Sequence, residues 1–177
     1  MAFPPRPVLT VGSPLDSTDV QQLDDYLVAL TPLYTVTVAD QTKTNNTMTN
    51  ATNLSLPLVA SARYRMVGLF WVSGGSVGDI KIGQTVPSGM TGYWTCHGPA
   101  LGVTTTFEAL FYGGNTDFSL ASPLGLINTT TIQLFVYDAN IITTNAGTYQ
   151  IQFAQQVTDG TAATMRSGSD LSAWRVA

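Results

Sequence analysis

Charge is scarce in this chain of 177 residues, where only 10% of side chains are charged against about a quarter in an ordinary globular domain. Seven basic and eleven acidic residues leave a net charge of -4. No basic stripe can neutralise phosphates, so nucleic acid is not an expected partner. One cysteine, Cys96, excludes an internal disulfide, so the fold gives no sign of relying on an oxidising compartment. No stretch of eighteen consecutive apolar residues exists, and Met1 to Thr10 holds three prolines and no apolar run of signal-peptide length. The expectation is a protein made in the cytoplasm and not inserted in a membrane, in which the sequons at Asn45, Asn50, Asn53 and Asn128 carry little meaning.

The same scarcity limits chemistry. Gly74-Gly75-Ser76-Val77-Gly78 matches the G-x-S-x-G nucleophile elbow, but the elbow needs a helix after its serine, and Asp79 to Gly83 alternates like a strand. A hairpin turn is the better reading. The sole histidine, His97, has no recognisable orienting partner for a base role. Adjacent Cys96 and His97 face opposite ways in a strand, and no second cysteine or histidine completes a ligand set. Asp79, Asp117, Asp138, Asp159 and Asp170 leave calcium formally open, although turn aspartates usually bond their own backbone. Glu108 is the only glutamate, and no carboxylate pair of the glycosidase kind can be picked out by spacing. No catalytic residue, metal or cofactor is expected, and no enzyme.

What is present is 44% apolar residues with abundant threonine, serine, asparagine and glutamine. Residues 1 to 16 form an expected extended arm, because Pro4, Pro5, Pro7 and Pro14 hold themselves and their predecessors out of the helical region. A single helix is expected from about Thr18 to Leu30. Thr18 and Gln21 have capping-box spacing, Asp16 and Asp19 put negative charge at its start, and Pro32 stops it. Val20, Leu23, Leu27 and Leu30 follow a 3-4-3 spacing, a narrow seam like that of two coiled-coil heptads. A helix this short does not hold alone in water. The seam must pack, either on its own β domain or on another subunit or larger particle.

From Leu33 onward the period is two. Strands are expected at Leu33 to Val38, Thr52 to Val59, Arg63 to Val72, Val77 to Gln84, Thr91 to His97, Val103 to Tyr112, Thr131 to Asp138 and Gly147 to Ala154. Two short closing segments follow, Thr161 to Arg166 and Leu171 to Val176. Pro57 marks an edge strand. Arg63 to Val72, apolar on both faces in its second half, reads as a central strand covered twice. Ala39 to Ala51 reads as a long polar turn. Tyr149, Ile151 and Phe153 define a core face, and Trp174 with Val176 is expected to bury the inner face of the last strand. The resulting class is all-β: an antiparallel jelly-roll-like sandwich of nine or ten strands over residues 33 to 177, preceded by an arm and helix over residues 1 to 32. Aromatics near turns, Tyr93, Trp94, Tyr112, Phe111 and Phe118, are either core or a sugar-binding set.

Two stretches carry a resemblance. Thr10-Val11-Gly12-Ser13-Pro14-Leu15-Asp16-Ser17-Thr18-Asp19-Val20, then Leu23 and Leu30, is similar to the opening of small virion proteins of tailed bacteriophages, where a similar phrase precedes a short helix; Val20 and Gln21 stand where that phrase has leucine and asparagine. Asn53 to Leu58, Ala62 to Met66, Gly147 to Gln155, Thr161, Gly168 to Leu171 and Trp174-Arg175 resemble the β-sandwich of phage minor tail and capsid-decoration proteins. The resemblance implies a place on a virus particle, made in the host bacterial cytoplasm, with no reaction. It implies homotrimers and other virion proteins, major capsid or tail subunits, as partners. On that implication Val20, Leu23, Leu27 and Leu30 with Pro4, Pro5 and Pro7 form the attachment surface of a capsid decoration protein. A minor tail or tail-tip protein is the alternative, including a carbohydrate-binding adhesin using Trp94, Tyr93 and Tyr112.

Overall fold

The computed structural model describes residues 17–101, 109–115, 118 and 121–176, with backbone alone for residues 25, 26, 28–30, 109–115 and 122. Among the described residues one helix, α1 (Ser17–Leu30), precedes twelve strands. These are β1 (Leu33–Val36), β2 (Gln41–Lys43), β3 (Thr49–Leu58), β4 (Ala62–Ser73), β5 (Ile80–Thr85), β6 (Thr91–Pro99), β7 (Ala109–Asn115), β8 (Ser122–Leu124), β9 (Gln133–Thr143), β10 (Gly147–Ala154), β11 (Ala163–Met165) and β12 (Asp170–Val176). The expected arm over residues 1 to 16 and the first part of the expected strand from Val103 lie outside the described residues.

The strands form two antiparallel sheets. The larger runs β1-β12-β4-β9-β6-β7, with β11 joining β4 to β2, and the smaller runs β3-β10-β5-β8. Most connections cross from one sheet to the other, so neighbours in sequence are seldom neighbours in a sheet. This is the all-β sandwich that alternation and composition lead one to expect, and the frequent crossing is what distinguishes a jelly roll from a meander.

The core lies between the sheets because the alternating residues of each strand have only one dry side to face. Met66, Phe70 and Val72 of β4, Phe135, Tyr137 and Ile141 of β9, and Trp94 and Cys96 of β6 line the larger sheet. Leu54 and Leu56 of β3, Ile80 and Ile82 of β5, and Tyr149, Ile151 and Phe153 of β10 line the smaller. Pro57 sits on β3, which is an edge, where a missing ladder donor does no harm. Thr143 pins the β3–β4 turn, its hydroxyl accepting the Ala62 N–H at 3.0 Å and donating to the Val59 carbonyl at 2.6 Å.

Four expectations need correction. The polar stretch Ala39 to Ala51 is not one long turn, since β2 pairs with β11 and β3 begins at Thr49. Ser122–Leu124 adds β8, which pairs with β5 through only three positions; a three-residue strand shows no period to read. β4 is central, between β12 and β9, but covered on one face: Val67 and Leu69 are half-buried and Trp71 is 39% exposed. On β12 the buried side chains are Leu171 and Ala173, so Trp174, 40% exposed, and Val176 point outward. Register decides this, because Ala173 pairs with Met66 and Trp174 with Arg65.

Gly92 lets β6 approach β9. Its φ is +139°, and a Cβ there would stand 2.1 Å from the Asn140 carbonyl oxygen and 2.7 Å from Ile141 Cα, both backbone. Neither can yield without breaking the ladder. Gly92→Ala is expected to lower unfolding free energy by about 3 kcal/mol or more in urea titration; a loss below about 0.5 kcal/mol would show that β6 moves freely on β9.

Candidate interaction surface

The described residues offer two exposed apolar surfaces. The first is α1. Asp19 lies in its first turn, and Thr31 closes its end, the backbone N–H and the hydroxyl both donating to the Leu27 carbonyl at 3.0 and 2.9 Å. The helix approaches β12, yet its seam is open to solvent: Val20 is 54%, Leu23 39% and Leu27 54% exposed. Leu30 ends α1 with only its backbone described, and Pro4, Pro5 and Pro7 lie outside the described residues.

The second is the outer face of the larger sheet. Register places Trp174, Arg65, Asn140 and Tyr93 in one row across β12, β4, β9 and β6, and Val176, Arg63, Ile142 and Thr91 in the next. All eight are exposed. Arg65 pairs with Asp138 on the same face, bridging β4 to β9. Further along, Leu69 lies beside Val136, and Trp71 beside Leu134. Burial holds the Asp170 carboxyl, across from Leu69, above its ordinary value.

The residues considered for glycan contact are not brought together. Trp94 is 1% exposed and stacks on Tyr137 with ring centroids 5.9 Å apart and planes 19° from parallel, so it is core and not a surface platform. Its strand neighbour Tyr93 is 63% exposed on the opposite face. Phe118 is also buried, and its carbonyl accepts a hydrogen bond from Gln84 Nε2 at 3.2 Å. Tyr112 pairs through its backbone with Cys96, and Phe111 with His97, with no side chain described for either aromatic. Strand parity carries the overlooked signal: a buried Cys96 beside an outward His97 already puts Trp94 inward and Tyr93 outward. The outer set Arg63, Arg65, Ile142, Trp174 and Val176 escapes sequence reading because single-strand alternation cannot tell which of two mixed faces is dry.

The residues weighed for chemistry are spoken for locally. Gly74 to Gly78 turns into β5, a strand, so the G-x-S-x-G string has no elbow geometry. Cys96 is buried, while His97 faces outward with Nε2 3.1 Å from Thr95 Oγ1. Asp159 accepts the Thr161 N–H at 2.8 Å, Asp138 holds Arg65, and Asp79 accepts the Leu126 N–H at 2.8 Å. Glu108 and Asp117 lie outside the described residues.

Fold and surface together define an all-β two-sheet sandwich with an exposed helix beside one sheet edge. No protein-family model matches the chain, and no curated protein sequence matches it. Among solved structures it is similar to a chain of the tripod (BppUct-A-L) from the baseplate of bacteriophage Tuc2009, at 12% identity and a TM-score of 0.33 over 96% of this chain and 73% of that one. It is also similar to the infectious bursal disease virus VP2 subviral particle, at 13% identity and a TM-score of 0.19 over 82% of this chain and 41% of that one. These are distant likenesses, and neither bears on what the chain does.

Trp94→Ala is expected to lower stability by about 3–5 kcal/mol through the cavity it opens, whereas Tyr93→Ala stays within about 0.5 kcal/mol, both read by denaturant midpoints. Asp79 supplies a pH test. Burial raises its carboxyl from 3.8 against the opposing pull of the Leu126 N–H, so the folded form binds the proton more tightly than the unfolded one. The Asp79 contribution to stability then falls as pH rises from 3.8 through the raised folded value. An asparagine at this position would accept the same N–H without charge and tolerates the φ of +47°. The midpoint of Asp79→Asn should therefore gain on wild type as pH climbs from about 3 to about 6; a gap that shrinks over that range would make the ionised carboxylate stabilising.

Proposed function

We propose that this chain is a virion structural protein of a tailed bacteriophage, a decoration protein bound to the head surface through its N-terminal segment, residues 1 to 30. The observation that carries the reading is the exposed seam of Val20, Leu23 and Leu27 on a helix set outside a sandwich whose core closes without it. A short amphipathic helix needs a partner for its apolar side. The phrases from Thr10 to Leu30 and from Gly147 to Arg175 that resemble phage virion proteins supply the context. The mechanism is binding without catalysis: the seam and proline arm clamp capsid subunits, the sandwich faces outward, and homotrimers stand on the lattice. No helix among the described residues is long and apolar enough to cross a membrane.

A tail or tail-tip position is the second reading, favoured by exposed Tyr93, Tyr34, Trp71 and Trp174 on one face, since aromatic faces exposed in a group suit sugar rings. Antibody labelling of purified particles decides. Label over the head lattice, lost when residues 1 to 30 are deleted, is the expected result; label at the tail tip with retention on host cell walls selects the second reading, and unlabelled particles defeat both.

A further inference from the structure

The helix seam and the outer sheet face meet at one corner of the molecule and complement each other. α1 is joined to β1 by Thr31 and Pro32 alone, and β1 begins opposite Ala173, level with the Trp174 and Val176 end of β12. The helix is acidic throughout, and the sheet corner presents arginines. The helix holds Asp19, Asp24 and Asp25 and no basic residue. Arg63 and Arg65 lie on the outer face at the sheet corner, and Asp138 on that face already holds Arg65. With Arg65 engaged, Arg63 is, among the described residues, the cation at this corner left to meet a helix carboxylate.

We propose that α1 of one copy docks across the outer sheet face of a second copy, its Val20, Leu23 and Leu27 seam lying on Trp174, Val176 and Ile142 while Asp24 meets Arg63. Dimensions agree. A helix of 14 residues is about 21 Å long, and β12, β4, β9 and β6 span about 14 Å between outer strand axes. In the row Val176, Arg63, Ile142 the arginine stands between two apolar side chains, as a seam edged by carboxylates requires. The helix does not cover its own face: its seam is open, and reversal onto that face would have to pass through Thr31 and Pro32, where the proline fixes its own φ and restricts its predecessor. Pairing of seam with seam in parallel is disfavoured as well, since Asp19 of one helix would lie opposite Asp24 of the next. Each copy carries both halves, so reciprocal docking gives a two-fold dimer and head-to-tail docking a ring or a filament.

This contact goes beyond the reading of α1 as the attachment helix, competes with capsid subunits for the same seam, and is tested on the isolated full-length chain. Light scattering across a concentration series should show self-association. Leu23→Asp should abolish it, Arg63→Glu should weaken it about tenfold or more, and Arg63→Glu with Asp24→Arg should restore it to within about threefold. Both positions are exposed, and unchanged circular dichroism and thermal midpoints would exclude misfolding. A chain that stays monomeric overturns the proposal, as does association that survives Leu23→Asp. Association lost in Leu23→Asp but untouched by Arg63→Glu would mean that seam pairs with seam, which also overturns it. An oligomer that is absent from particles defeats the functional reading and leaves this contact standing; a monomer found on particles does the reverse.

Discussion

The two sheets are held in register by a polar contact in the driest part of the molecule. Tyr137 of β9 and Tyr149 of β10 meet hydroxyl to hydroxyl, and the Tyr137 hydroxyl lies 3.2 Å from Gln84 Oε1 on β5. Burial raises both phenols above their ordinary range, so they stay neutral and serve as hydrogen-bond partners. Apolar packing alone would let the sheets slide, since dispersion and hydrophobic burial have little direction. A buried hydroxyl does not slide, because leaving it unpaired costs about 1–3 kcal/mol. Trp94 and Phe70 then pack on Tyr137 at centroid distances of 5.9 and 6.0 Å, so the aromatic core is built around a fixed point.

With that centre fixed, the few charges work at the margins. Arg65 and Asp138 tie β4 to β9 on the outer face. At the other end of β4, Asp40 accepts the Ser167 N–H at 2.8 Å and the Arg166 guanidinium at 2.7 Å, and these two contacts hold its carboxyl below the ordinary value. Ser169 binds the same turn to β4, accepting the Trp71 N–H at 3.0 Å and donating to the Arg166 carbonyl at 2.9 Å. The C-terminal strands are thus tied down by side-chain and backbone bonds rather than by the indole of Trp174, which is left outward for other contacts. Scarcity of charge therefore has a structural side. The outer face of β4 and β9 is only partly hydrophilic, with Trp71, Val136 and Ile142 exposed beside Arg63 and the Arg65–Asp138 pair.

Much of this architecture is legible in single-strand alternation. Leu54, Leu56 and Leu58, and Tyr149, Ile151 and Phe153, announce their dry faces without help from any neighbour. Proline at 57 announces an edge, and proline at 32 the end of α1. The strands that alternation does not reveal, β2 and β8, have three residues each, too few to show a period and defined only by their partners. Of the interaction surface, the helix seam is legible because its spacing is local, and the sheet half is not. Tyr93 and Trp94 cannot both be surface groups; assigning them needs one inward anchor on β6, which a buried Cys96 supplies by parity, and in the fold Cys96 stands opposite Tyr137.

What the chain's own order of residues determined is local: fewness of charges, period two nearly throughout, one short amphipathic helix, and the turns that separate these elements. Those follow from side-chain alternation and backbone restriction, which act over a few residues. Tertiary structure alone decided which strands pair, which face of β4 and β12 is wet, and that Trp174, Val176, Ile142, Arg63 and Arg65 share a surface. Register is set by contacts between residues far apart in the chain, as between Arg65 and Trp174 or Leu33 and Ala173, and a shift of one place would exchange every inward side chain for an outward one.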